Sequence, residues 1–305
     1  MDLTKYLSLK NSLTTLLIAV SISSTTNAQY TKHINTNRPS LSMGAYAVGK
    51  NTIQLEGGFT HSEGYEDKET TTYNSNLYDL DVRYGLFFEE LELIAQLQLA
   101  NTNLDNIKKI NGLNTAEVGA KFMIYDSYKN YQEKINIYSW KANQRYKFRR
   151  LVPTVALYAG YQFNITDNLP YFAPNGGAKF AVITQQHLSK DWSFITNWFS
   201  ENVENDLYRN YGYIATLSYA INSKVSIFGE NQGTWYNSKT NEIPFKETSW
   251  ARLGATYTIT KNMQADLHAA HSISHAQDKW QFGFGFSWRN NRPTIWKNEF
   301  ENINP

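Results

Sequence analysis

The chain contains no cysteine, which excludes a disulfide scaffold and any thiolate metal site. It has only 7 prolines in 305 residues, a scarcity that leaves room for many extended segments. It also lacks any run near the roughly 18 consecutive apolar residues that would argue a spanning helix. The mean hydropathy of -0.52 agrees. A net charge of +2 is too small to imply a nucleic-acid partner. Against these absences stand 21 Tyr, 16 Phe and 8 Trp, a composition that suits strands.

The aromatics are patterned. From Lys279 to Trp288, the residues Trp280, Phe282, Phe284, Phe286 and Trp288 alternate with Gln281, Gly283, Gly285 and Ser287. In a strand this period of two puts every ring on one face. A membrane barrel turns such a face to lipid and the other to a polar lumen.

Residues 1–28 read as a secretory signal: Lys5 and Lys10, then an apolar core from Leu13 to Ile22, then a polar stretch ending at Ala28. The core is too short to span a bilayer, so a membrane anchor is the weaker reading. Export without cysteine fits a bacterial envelope protein, and the alternation points to its outer membrane.

Windows of alternation separated by turn residues predict twelve strands. The windows are 52–61, 77–86, 91–100, 115–125, 153–164, 178–187, 191–201, 211–221, 224–236, 249–259, 263–274 and 279–288. The sixth and seventh alternate less cleanly, because Ile183, Ile195 and Phe199 fall on the would-be inner face. Connections after even-numbered strands are short and those after odd-numbered strands are long and polar, 61–76 and 101–114 among them. That parity matches short periplasmic turns and longer external loops. The expected architecture is therefore all-β, an antiparallel up-and-down transmembrane barrel spanning 52–288. Residues 29–51 form a periplasmic N-terminal segment and 289–305 a tail that lies in the periplasm or folds into the lumen as a plug.

One expected periplasmic connection is long. Ser127 to Leu151 holds Lys129, Lys134, Lys141, Arg145, Lys147, Arg149 and Arg150 against Glu133 alone. It reads as a docking segment for an acidic periplasmic partner or for anionic headgroups, or else as a solvated insertion. An extra hairpin, 134–140 against 145–151, is a further option.

Residues 35–59, NTNRPSLSMGAYAVGKNTIQLEGGF, carry a family likeness. Through Thr36, Arg38, Pro39, Val48, Gln54, Leu55, Glu56, Gly58 and Phe59, the chain resembles the outer-membrane transporter family named after the meta-pathway of phenol degradation. Val118 to Phe122 is similar to that family's G-x-K strand. Asn37 departs from it where an acid is usual, as does Gly49-Lys50 where proline and glycine are expected. The resemblance implies a barrel of about twelve strands moving small, including hydrophobic, molecules, and it brings no catalytic residue.

On this pattern Glu56, Asp79, Asp81, Arg83, Glu92, Glu117, Lys121, Glu230, Arg252, Asp266 and His268 face the lumen. Any membrane barrel needs a polar interior, so paired charges filling a narrow bore explain them as structure. The functional reading is a constriction of Asp79, Asp81 and Arg83 with Glu56 and Glu92, selecting permeants by charge. A metal site among His268, His271 and His275 is disfavoured, since His268 and His271 fall on opposite faces. A twelve-stranded lipase is disfavoured because no motif sets a serine beside His271. The sequence thus points to a passive channel or transporter for small molecules, embedded in outer-membrane lipid and needing no cofactor. The alternative is a structural or adaptor barrel working through 127–151 and the tail, its lumen plugged by Ser40 to Lys50 or by the inward Ile183, Ile195 and Phe199.

Overall fold

The computed structural model describes residues 34–66, 71–105, 108–129, 138, 148–163, 176–204, 209–236, 247–274 and 277–290. The signal, most of the basic connection, His275 and the tail beyond Asn290 lie outside the described residues.

Twelve strands form: β1 (Ile53–Glu66), β2 (Thr71–Gly85), β3 (Leu91–Leu104), β4 (Lys108–Tyr125), β5 (Thr154–Gln162), β6 (Gly177–His187), β7 (Trp192–Glu201), β8 (Asn210–Ala220), β9 (Val225–Tyr236), β10 (Glu247–Thr260), β11 (Met263–Ser272) and β12 (Gln277–Arg289). Each pairs antiparallel with its sequence neighbour, and β1 pairs with β12, closing the barrel. Closure leaves no ladder edge open. The aromatic stretch is the closing strand, with Phe59 beside Phe284 at 5.6 Å between ring centroids.

The outer face is apolar. Leu253 is 69% exposed, Phe284 62% and Leu267 60%, values that only a lipid surround makes economical for so many large side chains. Aromatic pairs sit near both strand ends: Trp192 with Tyr219 beside the short turns, and Trp198, Tyr213 and Trp235 near the opposite rim. These are the interfacial girdles of a membrane barrel.

Two expectations change. The residues 61–76 and 101–114, expected as long loops, are mostly strand, and the connections shrink to 67–70 and 105–107. Above the lipid the outer face meets water instead of acyl chains, so apolar alternation fades while the backbone ladder continues; Ser75 and Thr102, buried on the inner side, share a hydrogen bond of 2.7 Å. Phe148–Leu151 makes a short 3-10 helix rather than the second strand of an extra hairpin.

Candidate functional site: a lumen stoppered by residues 34–50

Residues 34–50 lie inside the barrel at the end that carries the short turns, so the periplasmic placement expected for 29–51 gives way, over the described part, to the other arrangement considered, a lumen blocked by 40–50. Ile34 donates its N–H to the Lys261 carbonyl in the β10–β11 turn, and Lys50 donates to Glu89 in the β2–β3 turn. The chain leaves the lumen through a reversal at Gly49 (φ 92°) and Asn51 (φ 56°), and then enters β1. The left-handed region at Gly49 suits a residue without a Cβ.

The segment has neither helix nor ladder, so its buried backbone groups need other partners. Inward side chains of the wall supply them. Glu56 accepts from the N–H groups of Asn37 at 3.0 Å and Arg38 at 3.1 Å. Glu230 accepts from Leu41 at 3.1 Å and Ser42 at 3.3 Å. Asn197 makes a two-way contact with Met43, accepting its N–H at 2.6 Å and donating to its carbonyl at 3.0 Å. Gln185 accepts from Ala45 at 3.0 Å and Glu92 from Val48 at 2.7 Å. Lys121 donates to the carbonyls of Gly44 at 2.7 Å and Tyr46 at 3.0 Å. Each such group left unpaired would cost about 1–3 kcal/mol.

Beneath these contacts lies a charge cluster with no solvent exposure. Arg83 bridges Glu56 at 2.9 Å and grips both carboxylate oxygens of Glu92 at 3.1 Å, while Lys121 pairs with Glu92 at 2.8 Å. Two anions balance two cations. The neighbouring Arg252 pairs with Glu230 at 2.8 Å.

An apolar pad completes the seat. Ile183 of β6, Ile94 of β3, Met123 of β4 and Ala156 and Tyr158 of β5 pack against Met43 and Ala45 of the stopper, with Phe199 beside them. This explains why Ile183 and Phe199 break the polar pattern of the inner face; Ile195 is half-buried outside this cluster. The phenol of Tyr46, pushed above its usual range by burial, shares a hydrogen bond of 3.1 Å with Thr154.

Arg38 caps the stopper. Its guanidinium stands 3.4 Å from Asp79 and 3.6 Å from Asp266, and donates to the Phe284 carbonyl at 3.4 Å. It lies flat against Gly58 and Gly285, where a Cβ on either would collide with it. Above it the lumen holds a cavity of ≈440 Å3 lined by Arg38, Leu41, Asp79, Asp81, Glu117 and Lys179, among others.

Every lumen candidate therefore faces inward, in two groups. Glu56, Arg83, Glu92, Lys121 and Glu230 hold the stopper, whereas Asp79, Asp81, Glu117 and Arg252 line the cavity above it. Asp266 lies beneath Arg38. His268 faces inward too, whereas His271 pairs outside with Asp278 at 3.0 Å. The described part of the basic connection includes Arg149, donating to the Ser127 carbonyl at 3.3 Å, and Arg150; Lys141, Arg145 and Lys147 lie outside the described residues. Gln54, Gln185 and Asn197 were missed as site residues. Gln185 and Asn197 carried no signal beyond an uncharged amide on an inner face, whereas Gln54 was also among the residues of the family likeness.

The family described as "Putative MetA-pathway of phenol degradation" matches residues 36–290. The chain belongs to that family. The match runs from the stopper to the end of the closing strand, so both parts of this phenol-degradation-pathway family barrel fall within it. No curated protein matches the chain. Among solved structures, the NanC porin is 11% identical with a TM-score of 0.47, covering 77% of this chain and 98% of its own. The translocator domain of the autotransporter NalP from Neisseria meningitidis is 8% identical with a TM-score of 0.46, covering 79% and 89%. The CymD monoaromatic hydrocarbon channel is 8% identical with a TM-score of 0.44, covering 80% and 89%. Likenesses of this size carry no argument about what this barrel binds or moves.

Proposed function

We propose that the protein is an outer-membrane channel for small molecules, hydrophobic ones included, exported by the signal at 1–28 and closed in this state by residues 34–50. The observation that carries the reading is that a separate chain segment, not wall side chains, blocks the bore. Barrels of eight strands are filled by their own side chains, while those of sixteen leave an aqueous channel. Twelve strands fall between, and taking out the stopper would leave a passage continuous with the cavity of ≈440 Å3. Glu117 and Lys179, paired at 3.2 Å, and Asp79 and Asp81 would then be the charges a permeant meets. No step of this reading calls for catalysis.

A filled lumen also favours a second reading, an adaptor barrel that docks an acidic periplasmic partner through 127–151 and the tail. Conductance of the full chain in planar bilayers, beside a variant lacking residues 37–48, separates the two. The channel reading expects rare or no unitary currents from the full chain and frequent ones from the deletion variant. A correctly folded deletion variant that stays silent would leave the adaptor reading standing.

A further inference from the structure

Charge is out of balance at the head of the stopper. Asp79 and Asp266 face the single guanidinium of Arg38 at 3.4 and 3.6 Å, and Asp81 lines the cavity just above it. Asp81 accepts a hydrogen bond from Gln96 at 3.3 Å and has no ion pair among the described residues. Asp266 has no side-chain exposure, yet among the described residues neither of its carboxylate oxygens accepts a hydrogen bond. Arg38 Nε likewise has no hydrogen-bond partner among the described residues.

The fit of Arg38 is also loose. Its contacts of 3.4 and 3.6 Å to the two carboxylates exceed the ~2.7–2.9 Å of a tight charge-assisted pair. The surroundings nevertheless match a flat cation: Asp79 and the Phe284 carbonyl receive N–H groups at the rim, Asp266 stands within ion-pair range, and the two glycines, Gly58 and Gly285, leave a wall without side chains for the planar face. Arg38 belongs to the stopper, not to a strand, so it reaches this pocket as a tethered ligand.

We infer that the pocket formed by Asp79, Asp266, the Phe284 carbonyl and the Gly58–Gly285 wall is a binding site for small planar organic cations of the guanidinium or amidinium class. Arg38 occupies it in this state. A soluble cation that takes its place, with Asp81 beside it as a further anion, frees the head of the stopper. By linkage, whatever competes with Arg38 favours the unseated segment. This second half rests on the channel reading; the binding site does not.

The probe is methylguanidinium chloride, titrated calorimetrically into the detergent-solubilised full chain, with sodium chloride at equal ionic strength as the blank. Replacing Arg38→Ala removes the tethered competitor, and binding is expected to tighten roughly tenfold or more. In that background Asp79→Asn with Asp266→Asn is expected to abolish it. Arg38→Lys, a point charge without the planar fork, should fall between wild type and Arg38→Ala. Heat-modifiable gel mobility checks that each variant keeps its barrel. No binding to folded Arg38→Ala, or binding indifferent to both aspartates, overturns the site. In bilayers methylguanidinium should raise the open probability of the full chain above the sodium control; binding without that rise overturns the release step alone. Silence of the 37–48 deletion would refute the channel reading and leave the calorimetric result intact.

Discussion

Arg83→Met is expected to destabilise the barrel by about 3–5 kcal/mol, the usual consequence of removing one partner from a buried ion cluster. Arg83, fully buried, donates to Glu56, to both oxygens of Glu92 and, at 2.9 Å, to the Asn35 carbonyl. Without it two buried carboxylates face the single ammonium of Lys121. The midpoint of urea unfolding, followed by tryptophan fluorescence or gel mobility, should fall accordingly. The double variant Arg83→Met/Glu92→Gln restores charge balance and should recover part of the loss, because sites in one network do not add. A midpoint unchanged in Arg83→Met would mean that the cluster is not the structural keystone described above.

Glu230→Ala should act on the stopper more than on the wall. One carboxylate accepts the N–H groups of Leu41 and Ser42, the Thr216 hydroxyl at 2.8 Å and a guanidinium N–H of Arg252. Its loss orphans two backbone donors at the middle of the seated segment. A cost of about 3 kcal/mol on seating corresponds to a roughly hundredfold shift toward the open state. Single-channel open probability reads this directly. Glu230→Gln keeps an acceptor and should shift it less. Equal open probabilities for wild type and Glu230→Ala would exclude this contact from the closing mechanism.

The barrel was legible because lipid outside and water inside force a period of two on every spanning strand. Trp280 to Trp288 showed it most clearly, and the same rule placed Glu56, Arg83, Glu92, Lys121 and Glu230 on the inner face. It failed where its cause fails: at 61–66, 71–76 and 101–104 the outer face meets water instead of lipid, so strand continued where a loop was expected. The stopper was legible only as one way of plugging the lumen, at 40–50, and its seat was opaque for a different reason. Its partners are side chains far along the chain, such as Asn197 for Met43 and Glu230 for Leu41, and no local period records them. A signal existed all the same. Ile183 and Phe199 are apolar on a face that should be polar, which calls for an apolar partner in the lumen, and Met43 and Ala45 provide it. Several of the residues that carry the family likeness, Thr36, Arg38, Gln54, Glu56 and Gly58, prove to be contacts between the stopper and the wall.

On the channel reading, residues 34–50 must leave their seat for anything to pass. Because the native chain has no cysteine, Ser42→Cys with Thr216→Cys would place a single disulfide where two side-chain hydroxyls, one on the stopper and one on β8, stand 2.9 Å apart. The decisive measurement is the unitary current of this pair in a Glu230→Ala background, oxidised and then reduced in the same bilayer. The stopper account predicts closure when the bond is formed and frequent openings once it is reduced. Currents that persist with the segment locked in place, or silence in both states, would contradict it.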